Sequence, residues 1–521
     1  MPTGISSPLG AALAVARAAI IPERPDRLAR AALAALPWGA TLAGGVAAAS
    51  ARYPLAVAVK DDLGEVSYAS LWMSSGALAR GLHDRGIGTG SVVGILARNH
   101  RGFVRSLVAA SRLGADIVYL NTGFAGPQLA SVSEREGVTA ILHDDEFTDL
   151  VADCKANCRI SETEMSEMAA NWSLWLQAPP RHQGATVILT SGTTGTPKGA
   201  RREGVKGAST AGAVFEAIPF RARDTVVIGA PLFHAWGLSN LAIALTLSCT
   251  VTLQRNFDPE ATLAAVAEQR ADGLVLVPVL LQRLLSLNPA ALDASDTSSL
   301  RYIASSGSAL GASLAGAAME RFGPVLYNVY GSTEVALATI AGPADLQDAP
   351  ATAGRPLPGI AVRVLEADGQ DAPPGVVGRV FVGNPGQFEG YTGGGSKETV
   401  DGLMSIGDVG HFDDQGRLFI DGRDDDMIVS GGENVYPAEI EELLVGHPDI
   451  TDAAVTAVAD EEFGQRLRAI VVLRAGATLD ESAVKDFVRS NLARYKVPRE
   501  VVFAESVPRT TTGKLRRGEL C

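Results

Sequence analysis

The sequence has 521 residues, a formal net charge of −13 at pH 7 and 46% hydrophobic residues. Because single cores stop growing at roughly 250–300 residues, this length predicts two or more domains. The acidic total argues against a protein that coats nucleic acid, so we expect no nucleic-acid partner. An anionic ligand is still allowed, since it needs only a local basic site. The four cysteines are too sparse for a disulfide framework, which favours a cytoplasmic location.

The first predicted element is an apolar stretch at residues 9–21. No basic residue precedes it, so it lacks the positively charged start of a signal peptide, and it is shorter than the roughly 20 apolar residues of a membrane span. It predicts a packed amphipathic helix, with peripheral membrane contact as the alternative. Two longer uncharged runs, 31–51 and 225–254, are broken by glycine and proline, so both predict buried elements joined by turns.

Short apolar runs then alternate with helical patterns over most of the chain. The predicted strands lie at residues 186–189, 225–228, 273–277, 302–304 and 325–327. An alanine-rich pattern at 259–269 predicts a helix between two of them. Strands that alternate with helices are typical of an α/β protein with largely parallel sheets.

The pattern changes twice towards the end of the chain. Residues 353–390 are rich in glycine, proline and short valine-containing runs, which predicts a small β subdomain. A charged stretch at 423–426 then separates two apolar runs, and we place the domain boundary between Asp424 and Asp425. The sequence predicts a large N-terminal domain, 1–424, of parallel α/β subdomains with the β subdomain. A small α+β C-terminal domain, 425–521, follows, with helices at 437–445 and 481–492.

The strongest motif directly follows the predicted strand at 186–189. Glycines let the backbone turn its N–H groups towards one point, hydroxyls add donors and a lysine adds positive charge. The residues concerned are Thr190, Ser191, Gly192, Thr193, Thr194, Gly195 and Lys198. The pattern is not a Walker A loop, because the lysine is followed by Gly199. It predicts a polyphosphate-binding loop.

This loop resembles the phosphate loop of the adenylate-forming superfamily, which includes acyl-CoA synthetases, peptide-synthetase adenylation domains and beetle luciferases. The resemblance implies ATP and CoA as co-substrates, with Mg²⁺ as cofactor. It also implies a C-terminal domain that reorients about a hinge. Matching motifs run from about residue 186 to residue 514 in the family's order.

The second motif runs from Tyr330 through Gly331 and Ser332 to Thr333 and Glu334. The resemblance implies that Tyr330 stacks on adenine, Thr333 contacts the α-phosphate and Glu334 helps to hold Mg²⁺, together with Thr190. A hard cation prefers carboxylate and phosphate oxygens, which agrees with this assignment. The alternative for the same residues is a helix N-cap.

Three further motifs lie near the predicted boundary and the C-terminus. The resemblance implies that Asp408 binds the ribose hydroxyls, Arg423 contacts the nucleotide, Asp425 is the hinge and Lys514 is the catalytic lysine. It also implies a loop that lines the CoA tunnel. That loop contains Gly431, Gly432, Glu433 and Asn434. The alternatives are a turn aspartate, a solvated acidic turn and a solvated tail lysine.

Two weaker matches concern the acyl pocket. His234 resembles a catalytic-site histidine beside the acyl pocket, where Trp236 and Gly237 would also lie; a packed core histidine is the alternative. Ser306, Gly307 and Ser308 resemble the segment that lines the carboxylate and adenine sites, with a helix-capping turn as the alternative.

Residues 405–441 and 231–237 most resemble bacterial fatty-acyl-CoA synthetases, and this resemblance implies an ATP-dependent carboxylate–CoA ligase whose acid is a fatty acid. An adenylating enzyme that loads a separate carrier protein is the alternative, and no carrier domain is expected after Lys514. A non-catalytic nucleotide-binding scaffold is disfavoured, because a scaffold needs no catalytic lysine. The sequence leaves open the acyl chain length, peripheral membrane contact and assembly as a homodimer.

Overall fold

A computed structural model of the chain describes residues 24–171, 177–190, 197–202, 208–423, 428–435, 437–460 and 464–508. The apolar stretch at 9–21 lies outside these ranges. Within them, none of the helices combines the length and the apolar character that a bilayer crossing requires.

The first part of the chain alternates helices and strands. Its helices are α1 (Pro25–Ala35), α2 (Leu42–Arg52), α3 (Tyr68–His83), α4 (Arg101–Leu113), α5 (Gly126–Arg135) and α6 (Glu162–Ala170). Its strands are β1 (Val57–Asp61), β2 (Gly64–Ser67), β3 (Val92–Leu96), β4 (Asp116–Tyr119), β5 (Ala140–His143), β6 (Cys158–Ser161), β7 (Thr186–Thr190) and β8 (Lys198–Arg202).

The middle of the chain continues the alternation. Its helices are α7 (Ala208–Ala217), α8 (Ala235–Thr246), α9 (Pro259–Gln269), α10 (Pro278–Leu285), α11 (Pro289–Ala294), α12 (Ala312–Phe322) and α13 (Pro343–Asp348). Its strands are β9 (Thr225–Ile228), β10 (Thr250–Leu253), β11 (Gly273–Leu276), β12 (Tyr302–Ser305), β13 (Leu326–Tyr330), β14 (Thr339–Ala341) and β15 (Arg355–Pro356). The helix predicted at 259–269 has these bounds, because the Asp258 side chain caps it by accepting from the N–H of Ala261.

The last part of the chain is richer in strands. They are β16 (Ala361–Leu365), β17 (Gly378–Gly383), β18 (Thr399–Val400), β19 (Leu403–Phe412), β20 (Leu418–Arg423), β21 (Ile428–Ser430), β22 (Glu433–Val435), β23 (Ile450–Asp460), β24 (Gly464–Leu473) and β25 (Glu500–Phe503). Two helices accompany them, α14 (Pro437–Val445) and α15 (Glu481–Asn491).

Two largely parallel sheets form most of the N-terminal domain. One has six strands in the order β6-β5-β3-β4-β7-β8, and the other has nine in the order β15-β14-β13-β12-β11-β9-β10-β1-β2. Antiparallel pairs occur only at their edges among the described strands, as in β7 with β8 and β13 with β14. This arrangement confirms the predicted α/β class.

Two smaller sheets follow. Strands β16 to β20 form an antiparallel five-stranded sheet, which is the predicted β subdomain. Strands β21 to β25 form a second five-stranded sheet with α14 beside it, which agrees with a small α+β C-terminal domain. The proposed boundary at Asp424 and Asp425 lies outside the described residues.

One expectation for the N-terminal region is wrong. The run at 31–51 was predicted to be buried, but α1 has no buried residue, and Leu33 and Leu36 are 69% and 77% exposed. The helix packs on α2 and is at most half-buried, as at Leu28, Ala31 and Ala34. Helix α2 is buried as predicted, through Ala43, Val46 and neighbouring alanines.

Candidate active site

A cavity of about 1730 Å³ lies where the carboxyl ends of β7, β11, β12 and β13 meet. Ligands bind at this edge of parallel α/β sheets, because the loops that follow the strands converge there. The wall continues onto the C-terminal domain through Val429, Gly432 and Glu433. Both domains therefore build the cavity.

Most of the predicted site residues line this cavity. They are Thr190, His234, Trp236, Ser306, Gly307, Ser308, Tyr330, Gly331, Ser332, Thr333, Glu334, Asp408, Gly432 and Glu433. The folded chain brings them to one space although they follow different strands and belong to both domains.

Other predicted residues stand apart from the wall or cannot be placed. Ser191, Gly192, Thr193, Thr194, Gly195, Asp425 and Lys514 lie outside the described residues. Arg423 and Asn434 are described by their backbone alone, at the end of β20 and within β22. Gly237 is packed against its own turn, since a Cβ there would lie 2.3 Å from the carbonyl oxygen of Pro231.

Tyr330 and Asp408 meet inside the cavity. Tyr330 ends β13, and its hydroxyl donates to Oδ2 of Asp408. Asp408 is 5% exposed and lies within β19, so the alternative of a turn aspartate is wrong. Its carboxylate accepts a hydroxyl in this position, which is the chemistry that ribose hydroxyls require.

The segment after β13 is a tight turn. A Cβ on Gly331 would lie 2.2 Å from the carbonyl oxygen of Ala336, so the turn needs glycine there. Ser332 Oγ accepts from the N–H of Val335 at 3.4 Å, and no helix begins before β14. The helix-cap alternative for Ser332 and Thr333 is therefore wrong.

Glu334 belongs to a chain of contacts that sequence reasoning missed. The Tyr391 hydroxyl donates to Oε1 of Glu334 at 2.8 Å, and Lys198 Nζ lies 5.3 Å from the centroid of the Tyr391 ring. Arg202 donates through Nη2 to the carbonyl oxygen of Thr333. Burial lowers the pKa of Arg202, and the Glu334 carboxylate opposes that change. Arg202 and the Glu334 carboxylate thus line this part of the cavity, while Lys198 lies over the Tyr391 ring, outside the residues of the wall.

His234 meets Glu433 across the two domains. Its Nε2 lies 2.8 Å from Glu433 Oε1, although 199 residues separate the two in the chain. The imidazole is 32% exposed and lines the cavity, so it is not the packed core histidine of the alternative. Burial disfavours the charged ring, but the attraction of the Glu433 carboxylate outweighs burial and raises the pKa of His234. A titratable pair thus stands where the domains meet.

The loop that carries Glu433 depends on its glycines for conformation. Gly431 and Gly432 have φ values of 61° and 84°, in the left-handed region that favours glycine. A Cβ on Gly432 would only touch Val277 at 3.8 Å. The turn therefore needs glycine for its backbone angle, while the loop lies against the wall formed after β11.

The apolar wall is fixed at one point by Trp236. Its indole Nε1 donates to the carbonyl oxygen of Leu276 at 2.9 Å, which holds the ring against the end of β11. Ser306 and Ser308 line the same cavity and do not cap α12, whose N-cap is Gly311. The helix-capping alternative for that segment is therefore wrong.

A second cluster of titratable groups lies away from the cavity. Single ligand atoms of His100, Asp144 and Glu162 lie within 4.8 Å of one another. His100 Nδ1 accepts from the N–H of Gly102, and Arg255 pairs with Glu162 and lies 3.7 Å from Asp144. An arginine among the carboxylates already supplies the positive charge, so the cluster is a buried ion-pair network and does not fit a metal ion.

The fold and the cavity define a two-domain α/β enzyme with its site at the domain junction. The family model described as AMP-binding enzyme matches residues 46–392, and that of the AMP-binding enzyme C-terminal domain matches residues 439–514. The chain therefore belongs to the AMP-binding enzymes, which confirms the resemblance to the adenylate-forming superfamily.

Curated relatives narrow the family. The indoleacetate–CoA ligase of Aromatoleum aromaticum is 35% identical over 480 residues, covering 88% of this chain and 92% of the relative. A feruloyl-CoA synthase of Amycolatopsis is 32% identical over 473 residues, covering 90% and 96%. The chain is thus an enzyme within a family of acid–CoA ligases.

Solved structures are similar over nearly the whole chain. The amide bond synthetase of Marinactinospora thermotolerans has a TM-score of 0.83 at 30% identity, covering 92% of this chain and 98% of that one. The o-succinylbenzoate CoA synthetase of Bacillus subtilis, a double mutant bound with a product analogue, has a TM-score of 0.82 at 26% identity, covering 91% and 98%. The same synthetase with its acyl-adenylate intermediate has a TM-score of 0.67 at 26% identity, covering 91% and 97%.

Proposed function

We propose that this chain is an AMP-forming acid–CoA ligase. It joins a carboxylic acid to ATP, which gives acyl-AMP and pyrophosphate, and then transfers the acyl group to the thiol of CoA. The observation that carries the proposal is one cavity in which Tyr330, Glu334 and Asp408 face the same space as the His234–Glu433 pair. The CoA-ligase relatives support the same activity.

In this proposal the part of the cavity formed by Tyr330, Glu334 and Asp408 binds the nucleotide, and we call it the nucleotide end. Asp408 accepts from the ribose hydroxyls in place of the Tyr330 hydroxyl, and the Tyr330 ring packs on adenine. Thr333 contacts the α-phosphate. Lys198, which lies over the Tyr391 ring, adds positive charge beside the phosphates.

Glu334 and Thr190 fit a Mg²⁺ ion, since each presents a hard oxygen donor to the same cavity. When bound with ATP, the ion would offset phosphate charge that otherwise repels the attacking carboxylate. Tyr391 holds the Glu334 carboxylate through its hydroxyl, which fixes the donor before the nucleotide arrives.

The first step forms a bond between the acid's carboxylate oxygen and the α-phosphorus of ATP, and the bond to pyrophosphate breaks. Negative charge develops around the α-phosphate, so cations at this point stabilise the transition state. Lys198 supplies one from the N-terminal domain. Lys514 supplies the other in this proposal, when the C-terminal domain is turned towards the nucleotide.

The second step uses the other side of the cavity, formed by His234 and Glu433, which we call the thiol end. The CoA sulfur attacks the acyl carbonyl carbon, the bond to AMP breaks, and the thiol proton must be accepted. His234 is the candidate base, because Glu433 occupies Nε2 and thereby orients Nδ1 as the acceptor. Gly431 and Gly432 let the loop backbone approach the CoA tunnel, with Asn434 beside it.

The arrangement of the two domains supports the assignment of the thiol end. The similar synthetase matches this chain at a TM-score of 0.82 with a CoA product analogue and 0.67 with the acyl-adenylate. Coverage and identity are nearly equal in the two comparisons, so the difference points to domain arrangement. We infer that the domain arrangement described here serves the thiol step. We also infer that the C-terminal domain turns about Asp425 to reach a second arrangement, which serves acyl-AMP formation.

For the acid, we propose first a carboxylate that carries an aromatic ring. Two relatives are named for indoleacetate and ferulate, and the Trp236 ring, held by its hydrogen bond to Leu276, lines the cavity. Flat apolar walls favour ring stacking over flexible chains.

A fatty acid is the second candidate, because the apolar lining does not end near Trp236. It continues between the two large sheets along Ile117, Phe215 and Ile243. A space of this kind would accept an extended acyl tail that a short aromatic acid leaves unfilled.

The test is AMP formation by the purified full-length chain with ATP and Mg²⁺ over a panel of acids. The panel contains indoleacetate, ferulate, benzoate, acetate, octanoate and palmitate, each with and without CoA. We expect AMP release that depends on CoA and is fastest with an aromatic acid. Release that needs an acyl carrier protein instead of CoA would favour the carrier-loading alternative, and no AMP with any acid would refute the ligase.

A further inference from the structure

The C-terminal domain docks onto the N-terminal domain at a second place, around Ala493, and Tyr495 of this segment also lines the cavity. The segment around Ala493 is inserted among apolar side chains of the six-stranded sheet, and Ala493 is fully buried there. The N–H of Arg494 donates to the carbonyl oxygen of Gly123 at 2.9 Å, and the Tyr495 ring lies 3.7 Å from where a Cβ on Gly123 would be. This docking segment is 60 residues beyond Glu433 in the chain.

Beside the docking segment is a buried ion pair that belongs wholly to the C-terminal domain. Lys496 is fully buried, and its Nζ pairs with Oε2 of Glu439, whose side chain is 10% exposed. Removing two charges from water is costly unless every oxygen and proton finds a partner. The pair therefore depends on what satisfies the second oxygen of Glu439.

That second oxygen is satisfied by the other domain. Gln128, on the first turn of α5, donates through Nε2 to Glu439 Oε1 at 3.1 Å, and it is 7% exposed. Gln128 does not line the cavity, so it has no reach to substrate. The contact exists only while the C-terminal domain is docked in this arrangement.

The Glu439 carboxylate lies only a few residues along the chain from Glu433 of the thiol end. Glu439 stands in the first turn of α14, which follows β22 almost directly, and β22 begins with Glu433. Holding the start of α14 therefore also holds the strand that presents Glu433 to His234.

We propose that Gln128 is a positioning residue for the thiol step, acting through Glu439 to hold the C-terminal domain in its docked arrangement. The inference rests on the proposed function, in which this arrangement serves CoA. When the domain turns away, Gln128 and Glu439 exchange their contact for water. The hydrogen bond thus contributes only to one of the two arrangements, and its loss shifts the population between them.

The test compares Gln128→Met, which keeps the length but removes the donor, with Gln177→Met as the matched control. Gln177 hydrogen-bonds Arg112 in the N-terminal domain, away from the docked domain. Acyl-AMP formation is measured by pyrophosphate release without CoA, and thioester formation is measured from supplied acyl-AMP with varied CoA.

We expect Gln128→Met to leave acyl-AMP formation within about twofold and to raise the KM for CoA about tenfold, with kcat at saturating CoA largely retained. A tenfold change in KM is the size expected from losing one hydrogen bond to a charged acceptor. Saturating CoA restores the docked population, because it binds the docked arrangement. Gln128→Glu places a like charge beside Glu439 and should raise that KM further. Equal loss in both half-reactions, or no change in either, would overturn the proposal.

A second readout does not depend on catalysis. Amide hydrogen exchange at Arg494 reports undocking, because that N–H donates to Gly123 only in the docked arrangement. We expect exchange at Arg494 to rise about tenfold in Gln128→Met and to stay unchanged in Gln177→Met. If the wild-type chain forms no thioester but exchange still responds, the docking contact stands and the ligase proposal fails. Unchanged exchange in Gln128→Met would refute the docking contact itself.

Discussion

The nucleotide end and the thiol end of the cavity are built in different ways. At the nucleotide end, Tyr330 donates to Asp408 and Tyr391 donates to Glu334, and all four residues belong to the N-terminal domain. At the thiol end, the central contact joins His234 to Glu433 of the other domain. Under the proposed function, the nucleotide groups therefore keep their mutual contacts when the C-terminal domain turns, while the His234–Glu433 contact forms only when that domain is docked.

Replacing Lys514 should separate the two ends most clearly. We expect Lys514→Ala to slow acyl-AMP formation about a thousandfold, because it removes charge from the developing transition state. Thioester formation from supplied acyl-AMP should be retained, since the thiol end needs other groups. Pyrophosphate release and thiol consumption measure the two steps. Lys485→Ala, which removes a partly exposed pair with Glu481 in the same domain, is the control, and equal loss of both steps would contradict the assignment.

Stiffening the proposed hinge should affect the thiol end and leave the nucleotide end unchanged. We expect Asp425→Pro to spare acyl-AMP formation and to slow thioester formation about a hundredfold, because a domain held out of place misaligns the thiol groups. The control is Asp414→Pro, where proline falls at the second position of the turn closed by Asp413 and Gly416. A variant slowed only in acyl-AMP formation would show that the hinge assignment is wrong.

Removing the charge of Glu433 should weaken the thiol end and move its pH dependence. Glu433 raises the pKa of His234, so Glu433→Gln should lower it. If neutral His234 accepts the thiol proton, thioester formation rises with pH through that pKa. The rising part of the profile should therefore move to lower pH in the variant, and the maximal rate should fall about tenfold. The profile of Glu505→Gln, an exposed carboxylate, should match wild type; a shift of the Glu433 variant to higher pH would contradict the pairing.

The smallest expected effect concerns Tyr391 at the nucleotide end. Tyr391→Phe keeps the ring under Lys198 and removes the hydrogen bond to Glu334, so acyl-AMP formation should fall about fivefold. The Mg²⁺ concentration for half-maximal rate should rise, while thioester formation from supplied acyl-AMP should not change. Tyr327→Phe, within β13 and packed against the core, is the control. A slower thiol step in Tyr391→Phe would contradict the assignment of Tyr391 to the nucleotide end.

Much of the fold follows from local patterns. The strand at 225–228, the helix at 259–269 and the helix at 437–445 have the predicted bounds, because apolar periodicity and proline or aspartate at the helix start are local signals. The exposure of α1 was not predicted. An alanine-rich helix with spaced arginines has the same sequence pattern whether its neighbours cover a narrow face or a wide one.

The site was predictable where a motif is continuous in sequence. Tyr330, Glu334, Asp408 and Glu433 line one cavity as expected from short motifs. Tyr391 follows a glycine in a loop of turn residues, and an aromatic there is the only local cue. Gln128 gives none, because its partner Glu439 lies 311 residues away and only the docked domains bring them together.

The buried network around Arg255 has a mechanical consequence. Arg255 follows β10 of the nine-stranded sheet, whereas His100, Asp144 and Glu162 follow strands of the six-stranded sheet. The network therefore joins the two sheets at the edge where these strands end. We expect the two large sheets of the N-terminal domain to keep their relative position, so that the domain does not open between them. Under the proposed function, acid, ATP and CoA would then enter and leave on the side that the C-terminal domain covers, so each reorientation of that domain would also open or close the cavity.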